Sequence, residues 1–89
     1  MTRYPLRVAP NAERTLARLP ERVAIAIVEL MVGTLLDAPH RVGGPLTRSL
    51  TGLWSARRGA YRILYEINDA TRIVRVVRVD HRADVYRAR

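Results

Sequence analysis

The chain contains no cysteine and no lysine. Lack of cysteine excludes disulfides, thiolate zinc sites and thiol catalysis. Lack of lysine makes every one of the 16 basic residues an arginine, whose guanidinium stays charged at any accessible pH and presents a planar fork of donors that matches phosphate oxygens. A genome biased toward GC-rich codons explains arginine in place of lysine. It does not explain 16 basic residues against 8 acidic ones. Other absences narrow the chemistry further. His40 and His81 stand far apart with no carboxylates at ligand spacing, so neither a metal nor another cofactor is expected. Ser49 and Ser55 lack elbow glycines, and no glycine loop of the phosphate-cradling kind is present. No apolar run has the length of a signal peptide or a membrane span, from which a soluble cytoplasmic protein with no membrane partner is expected. Repeats and low-complexity linkers are lacking too.

What remains is a small, strongly basic chain. Its 89 residues, 48% of them hydrophobic, suffice for one core, and a single domain over 1–89 is expected. The net charge of +8 attracts polyanions at long range and does so less as salt rises. Nucleic acid, the ribosome and an acidic protein all fit such a field. The arginines are not spread evenly: Arg57, Arg58, Arg62, Arg72, Arg75 and Arg78 are threaded through hydrophobic alternation, with Arg82 just beyond.

Hydrophobic periodicity orders the elements. Residues 4–8 read as a short strand that Pro5 confines to an edge or a strand start. Pro10 suits the first position of a helix over about 11–19, with Ala12, Leu16 and Leu19 on one face and Arg14 and Arg18 on another. Pro20 ends that helix and opens a second over about 21–36. There Ala24, Ile27, Val28, Met31 and Leu35 form a stripe that Ile25, Val32 and Leu36 widen. So broad a face calls for a sheet as its cover. Residues 37–45 read as one long irregular segment carrying His40 and Arg41. Strands then follow over 53–57, 61–67 and 73–79, joined by a turn at Gly59 and a hairpin loop at 68–71. Alternation places Tyr61, Ile63, Tyr65 and Ile67 on one face of the second of these, and Arg62, Leu64 and Glu66 on the other. The expected fold class is α+β: an N-terminal strand, a helical hairpin and an antiparallel three-strand meander.

Arginines, tyrosines and one histidine near the C-terminus make a set suited to RNA cleavage without a metal, in which a 2′-hydroxyl attacks the adjacent phosphodiester. Cations stabilise the charge gathering on the phosphorane, and other groups take and give protons. The segments LWSARRGAYRILYEI (53–67) and VDHRADVYR (79–87) resemble the RelE/ParE superfamily of bacterial toxins, in particular its RelE branch. LARLP (16–20), the Ala38-Pro39 step and GPL (44–46) fit the same pattern. The ordered set, spanning nearly the whole chain, carries this resemblance.

The resemblance implies a RelE-like fold. It also implies a toxin of a type II toxin-antitoxin pair that enters the ribosomal A site, cuts mRNA there and so inhibits translation. The implied partners are a cognate RelB-like antitoxin, in a hetero-oligomer, and the ribosome with its mRNA. Carried over by position, Arg62 resembles the phosphate-stabilising arginine and Arg82 the second active-site arginine. Tyr86 resembles the aromatic that orients the nucleophile or stacks on a base, and Arg57 a basic residue on the preceding strand. Arg58, Ser55 and Arg87 are candidate RNA contacts. Ser55 departs from the pattern, because the best-known members carry a lysine there that is a candidate general base. Period-2 alternation keeps Ser55 on the face of Arg57 while losing that proton-transfer group.

Some of these residues also have plain structural readings. Tyr61 and Tyr65 share a face with Ile63 and Ile67, which favours core packing with a hydrogen-bonded tip, and Trp54 reads as packing too. Arg75 and Arg78 read as surface or antitoxin contacts. His81 has the side chain best suited to acid-base work near neutral pH, yet alternation sets it opposite Arg82 unless the strand ends at Asp80. Two other functions compete with RNA cleavage: a ParE-like inhibitor of DNA gyrase, and a non-catalytic nucleic-acid-binding component of a toxin-antitoxin complex.

Overall fold

The computed structural model describes residues 3–81. Its elements, in chain order, are β1 (Leu6–Val8), α1 (Pro10–Arg18), α2 (Glu21–Val32), α3 (Thr34–Asp37), α4 (Pro39–Val42), β2 (Gly44–Pro45), a single 3-10 turn (Arg48–Leu50), β3 (Trp54–Arg58), β4 (Tyr61–Asn68) and β5 (Ile73–His81). One five-stranded sheet runs in the order β1-β5-β4-β3-β2. The meander of β3, β4 and β5 is antiparallel, as the alternation predicts, and β1 joins its edge parallel to β5.

Local chemistry explains most boundaries. Pro10 opens α1, where its missing N–H is no loss. Pro20 separates α1 from α2. The second helix stops at Val32, short of the expected Leu36, because Gly33 interrupts it and α3 resumes at Thr34. A Cβ at residue 33 would stand 2.7 Å from the Glu29 carbonyl oxygen, so only glycine fits that break. The segment expected to be irregular instead folds into α4 and the two-residue edge strand β2. Between β3 and β4, Gly59 takes φ of 60°, a conformation that side chains resist.

The core lies between the helices and one face of the sheet. Ala12, Ile27, Met31, Leu35 and Leu36 pack from the helical side against Ala56, Ile63, Tyr65, Val74, Val76 and Val79. The sheet does not cover the whole apolar stripe of α2. Ile25, Val28 and Val32, at helical spacing, remain exposed. No helix among the described residues is long and apolar enough to cross a membrane.

One irregularity decides how the sheet is decorated. Val74 and Val76 point to the core at period 2, which in a regular strand would carry Arg78 inward next. The register shifts between Leu64 and Tyr65: Tyr65 pairs with Val76 and Leu64 with Arg78, leaving Val77 as an extra residue. This bulge reverses the phase of β5, so that Val79 is buried and Arg78 turns to the opposite face.

Candidate active site

The sheet face turned away from the helices carries most of the sheet's arginines, Arg7, Arg57, Arg62, Arg75 and Arg78. In one cross-strand row Arg57 on β3 lies opposite Arg62 on β4, which lies opposite Asp80 on β5. The next row holds Ser55, Leu64 and Arg78, and a third holds Glu66, Arg75 and Arg7. Like charges directly opposite each other in a sheet are destabilising. Arg57 and Arg62 are such a pair, as are Arg7 and Arg75, where Glu66 offsets the charge of Arg75, and a bound polyanion would stabilise the row of Arg57. No ion pair among the described residues engages Arg57, which is exposed. Arg62 is half-buried, and its Nε is shielded from solvent. Elsewhere on the face, Arg78 pairs with Asp80 at 2.8 Å and Arg75 with Glu66 at 3.4 Å.

Leu64 forms an apolar floor within this charged face. It is 3% exposed yet lies outside the core cluster, with Ser55 and Arg78 as its cross-strand neighbours. Charges set around buried apolar surface act in a lower effective dielectric than they would in open water, so their pull on a phosphate is stronger.

The structure brings together Ser55, Arg57 and Arg62 among the residues singled out from sequence. Arg58 and His81 lie on the other face, in the row of Tyr61. β5 continues through His81, whose ring meets that of Tyr61 edge-on at 5.1 Å. Arg58 borders a cleft of about 350 Å³ between α2 and the β3–β4 turn, with Arg22, Val23, Ala26 and Ile27 on its other wall. Arg82, Tyr86 and Arg87 lie outside the described residues. Arg78 and Asp80 share the face of Arg62, a placement that regular alternation from Val74 does not give.

Tyr65 is a structural residue. It is fully buried, and its hydroxyl donates to the Pro39 carbonyl oxygen at 2.7 Å. Burial pushes its pKa up to about 12, an effect opposed by a backbone hydrogen bond from Gly43. A Cβ on Gly43 would sit 2.4 Å from that hydroxyl and 2.5 Å from the Ser55 carbonyl oxygen, so glycine is needed where α4 meets β3. His40, in the same stretch, packs edge-on against Trp54 at 5.3 Å and pairs with Asp69 at 3.2 Å. That cluster ties α4 to the β4–β5 loop, at the end of the sheet away from Arg62.

Comparison with known proteins accords with this arrangement. A sequence model of the family described as "ParE toxin of type II toxin-antitoxin system, parDE" matches residues 6–86. Toxin RelG of Mycobacterium tuberculosis (strain ATCC 25618 / H37Rv) is 51% identical over 84 residues, covering 94% of this chain and 97% of that protein. Toxin RelE of the same organism is 45% identical, covering 94% of this chain and 87% of its own length. A chain in the crystal structure of the RelBE2 toxin-antitoxin complex from M. tuberculosis superposes with a TM-score of 0.87 at 48% identity, over 90% of this chain and 99% of that one. In the intact Escherichia coli RelBE complex a chain only 20% identical shares the fold, with a TM-score of 0.73 over 88% of this chain and 95% of that one. With its α+β architecture, its arginine-bearing sheet face and these relatives, the chain belongs to the RelE/ParE family of type II toxin-antitoxin toxins, on the RelE branch.

Proposed function

We propose that this toxin is an endoribonuclease that cleaves mRNA in the ribosomal A site and so inhibits translation. The observation that carries the reading is the Arg57–Arg62 cross-strand pair, two arginines directly opposite each other beside the buried Leu64. In the reaction, O2′ attacks the adjacent phosphorus and charge collects on the non-bridging oxygens of the phosphorane. Arg57 and Arg62 stabilise that charge through fixed donors. Arg82 and Tyr86, which lie outside the described residues, take the roles implied by the family pattern: a second phosphate ligand and an aromatic that orients the nucleophile. Ser55 contributes a hydroxyl contact and no base. Much of the rate must then come from orientation of the RNA, which the ribosome supplies. The cellular setting is accordingly the cytoplasm. A RelB-like antitoxin that covers the arginine face pairs its charge and displaces substrate.

The family description also names ParE, which keeps the gyrase-inhibitor reading in view. Primer extension on cellular mRNA after induction separates the readings. Codon-phased cuts, with naked RNA cleaved poorly by the purified protein, are expected. DNA breaks would favour the gyrase reading, and growth arrest with no lesion in RNA or DNA would favour a non-catalytic binding component.

A further inference from the structure

RNA cleavage at this face needs a group to accept the 2′-hydroxyl proton. The arginines cannot serve, because guanidinium does not give up its charge. A serine hydroxyl is too weak a base, and His81 sits on the opposite face of the sheet. Among the described residues, two carboxylates share the face of Arg57 and Arg62: Asp80 and Glu66. Glu66 lies two rows away, exposed and paired to Arg75. Asp80 lies in the row of the two arginines, directly across from Arg62, and its side chain is only 16% exposed.

We propose that Asp80 is a further catalytic residue of this toxin, the general base that takes the 2′-hydroxyl proton. The inference rests on the endoribonuclease reading. Arg78 holds Oδ2 of Asp80 at 2.8 Å and so fixes the carboxylate, and Oδ1 is the oxygen that accepts the proton. As the proton passes from O2′ to Oδ1, the O2′–P bond forms. The P–O5′ bond then breaks and the 5′-oxygen takes a proton from solvent, leaving a 2′,3′-cyclic phosphate and a 5′-hydroxyl. Among the described residues, the charged groups that face Asp80 are Arg62 from β4, Arg57 one strand further, and Arg78 on its own strand; β1 does not extend to this row. Beside a phosphate, a carboxylate opposes binding of the ground state. Its presence in the arginine row therefore weighs against a purely RNA-binding role and for a part in proton transfer.

The test is single-turnover cleavage of ribosome-bound mRNA across the acid-to-neutral range by the wild type, Asp80→Asn, Asp80→Glu and Arg78→Ala. Folding is verified by thermal melting and antitoxin binding. The wild type is expected to lose rate toward acid pH as the base protonates. Asp80→Asn should cut about 100-fold or more slowly, lack that acid limb, and bind RNA as tightly as the wild type or more so. Asp80→Glu should recover part of the rate together with the acid limb. Arg78→Ala should cut more slowly and keep the limb. A folded Asp80→Asn protein that cuts at the wild-type rate would overturn the proposal, as would a wild type with no acid limb. Equal losses in Asp80→Asn and Arg78→Ala with unchanged pH profiles would reduce Asp80 to a positioning residue. Should Asp80→Asn fail to fold, Arg78→Ala carries the test, because loss of the acid limb there would assign it to the ion pair and not to the carboxylate. A wild type that cuts no RNA at all removes the endoribonuclease reading, and the proposal with it.

Discussion

The two faces of the sheet are made by the same strands and obey opposite rules. On the helical face Ile63, Tyr65, Val74, Val76 and Val79 are closely covered, and the Tyr65 hydroxyl, carried deep into the packing, has its acceptor. On the other face like charges stand side by side, and the ion pairs at Glu66 and Asp80 are partly exposed. One face is arranged for stability, while the other departs from the rules that give stability. In small proteins such departures collect where function is carried out.

Adjacent residues test this contrast most directly, because Arg62 and Ile63 face opposite ways. Ile63→Ala removes a fully buried side chain and should lower stability by about 3 kcal/mol. Its cleavage rate per folded molecule should stay near that of the wild type, as chemical denaturation and single-turnover kinetics together will tell. Arg62→Ala should do the reverse, raising the barrier by about 3 kcal/mol, or roughly 100-fold in rate, while changing stability far less. If the two variants lose stability and rate in the same proportion, the division between the faces fails.

A smaller effect is expected at Tyr65. Tyr65→Phe leaves the Pro39 carbonyl without its donor and should lower stability at neutral pH by about 1–2 kcal/mol. The hydroxyl's pKa near 12 in the folded protein, against 10.0 for an ordinary tyrosine, sets the sign of the pH effect. Between these values the unfolded chain releases the proton and the folded protein keeps it. The contribution is therefore fully present below pH 10 and is lost as pH rises toward 12, by about 2 kcal/mol. Denaturation curves for the wild type and Tyr65→Phe should accordingly converge over that alkaline window; parallel curves would mean that Tyr65 is not the group responsible.

The smallest expected change is at Arg75, half-exposed and paired to Glu66 across the strands. Arg75→Ala should alter stability by no more than about 0.5 kcal/mol. It should weaken RNA or antitoxin binding in a salt-dependent way and leave the chemical step alone. A large fall in single-turnover rate would extend the catalytic region to the third row of the sheet.

Much of this contrast can be read in the sequence, because it rests on period-2 alternation. Arg57, Arg62 and Ser55 share a face for that reason, and Ile63 and Tyr65 face the core for the same reason. The phase of β5 is harder to read. Val76, Val77, Arg78 and Val79 allow either a regular strand with Arg78 turned inward or a bulge that turns it out, and the choice depends on pairing with β4. This is why Arg78 and Asp80 do not stand out as neighbours of Arg62 from sequence alone. Leu64 is similarly opaque, since an apolar residue on a charged face can be exposed or can form its floor. The break at Gly33 escapes helical periodicity because Leu35 and Leu36 continue the same apolar stripe in α3. Ile25, Val28 and Val32 show the converse limit: helical spacing identifies an apolar stripe and does not say how much of it the sheet will cover.

The parallel pairing of β1 with β5 has a consequence for synthesis. Among the described residues the first strand has as its partner the last, and Ala9 donates its backbone N–H to the Val76 carbonyl only when both are present. Contacts of such long sequence separation form late. The row that joins Arg57 and Arg62 to Asp80 likewise waits for β5. A nascent copy therefore lacks the assembled face until β5 has emerged from the tunnel.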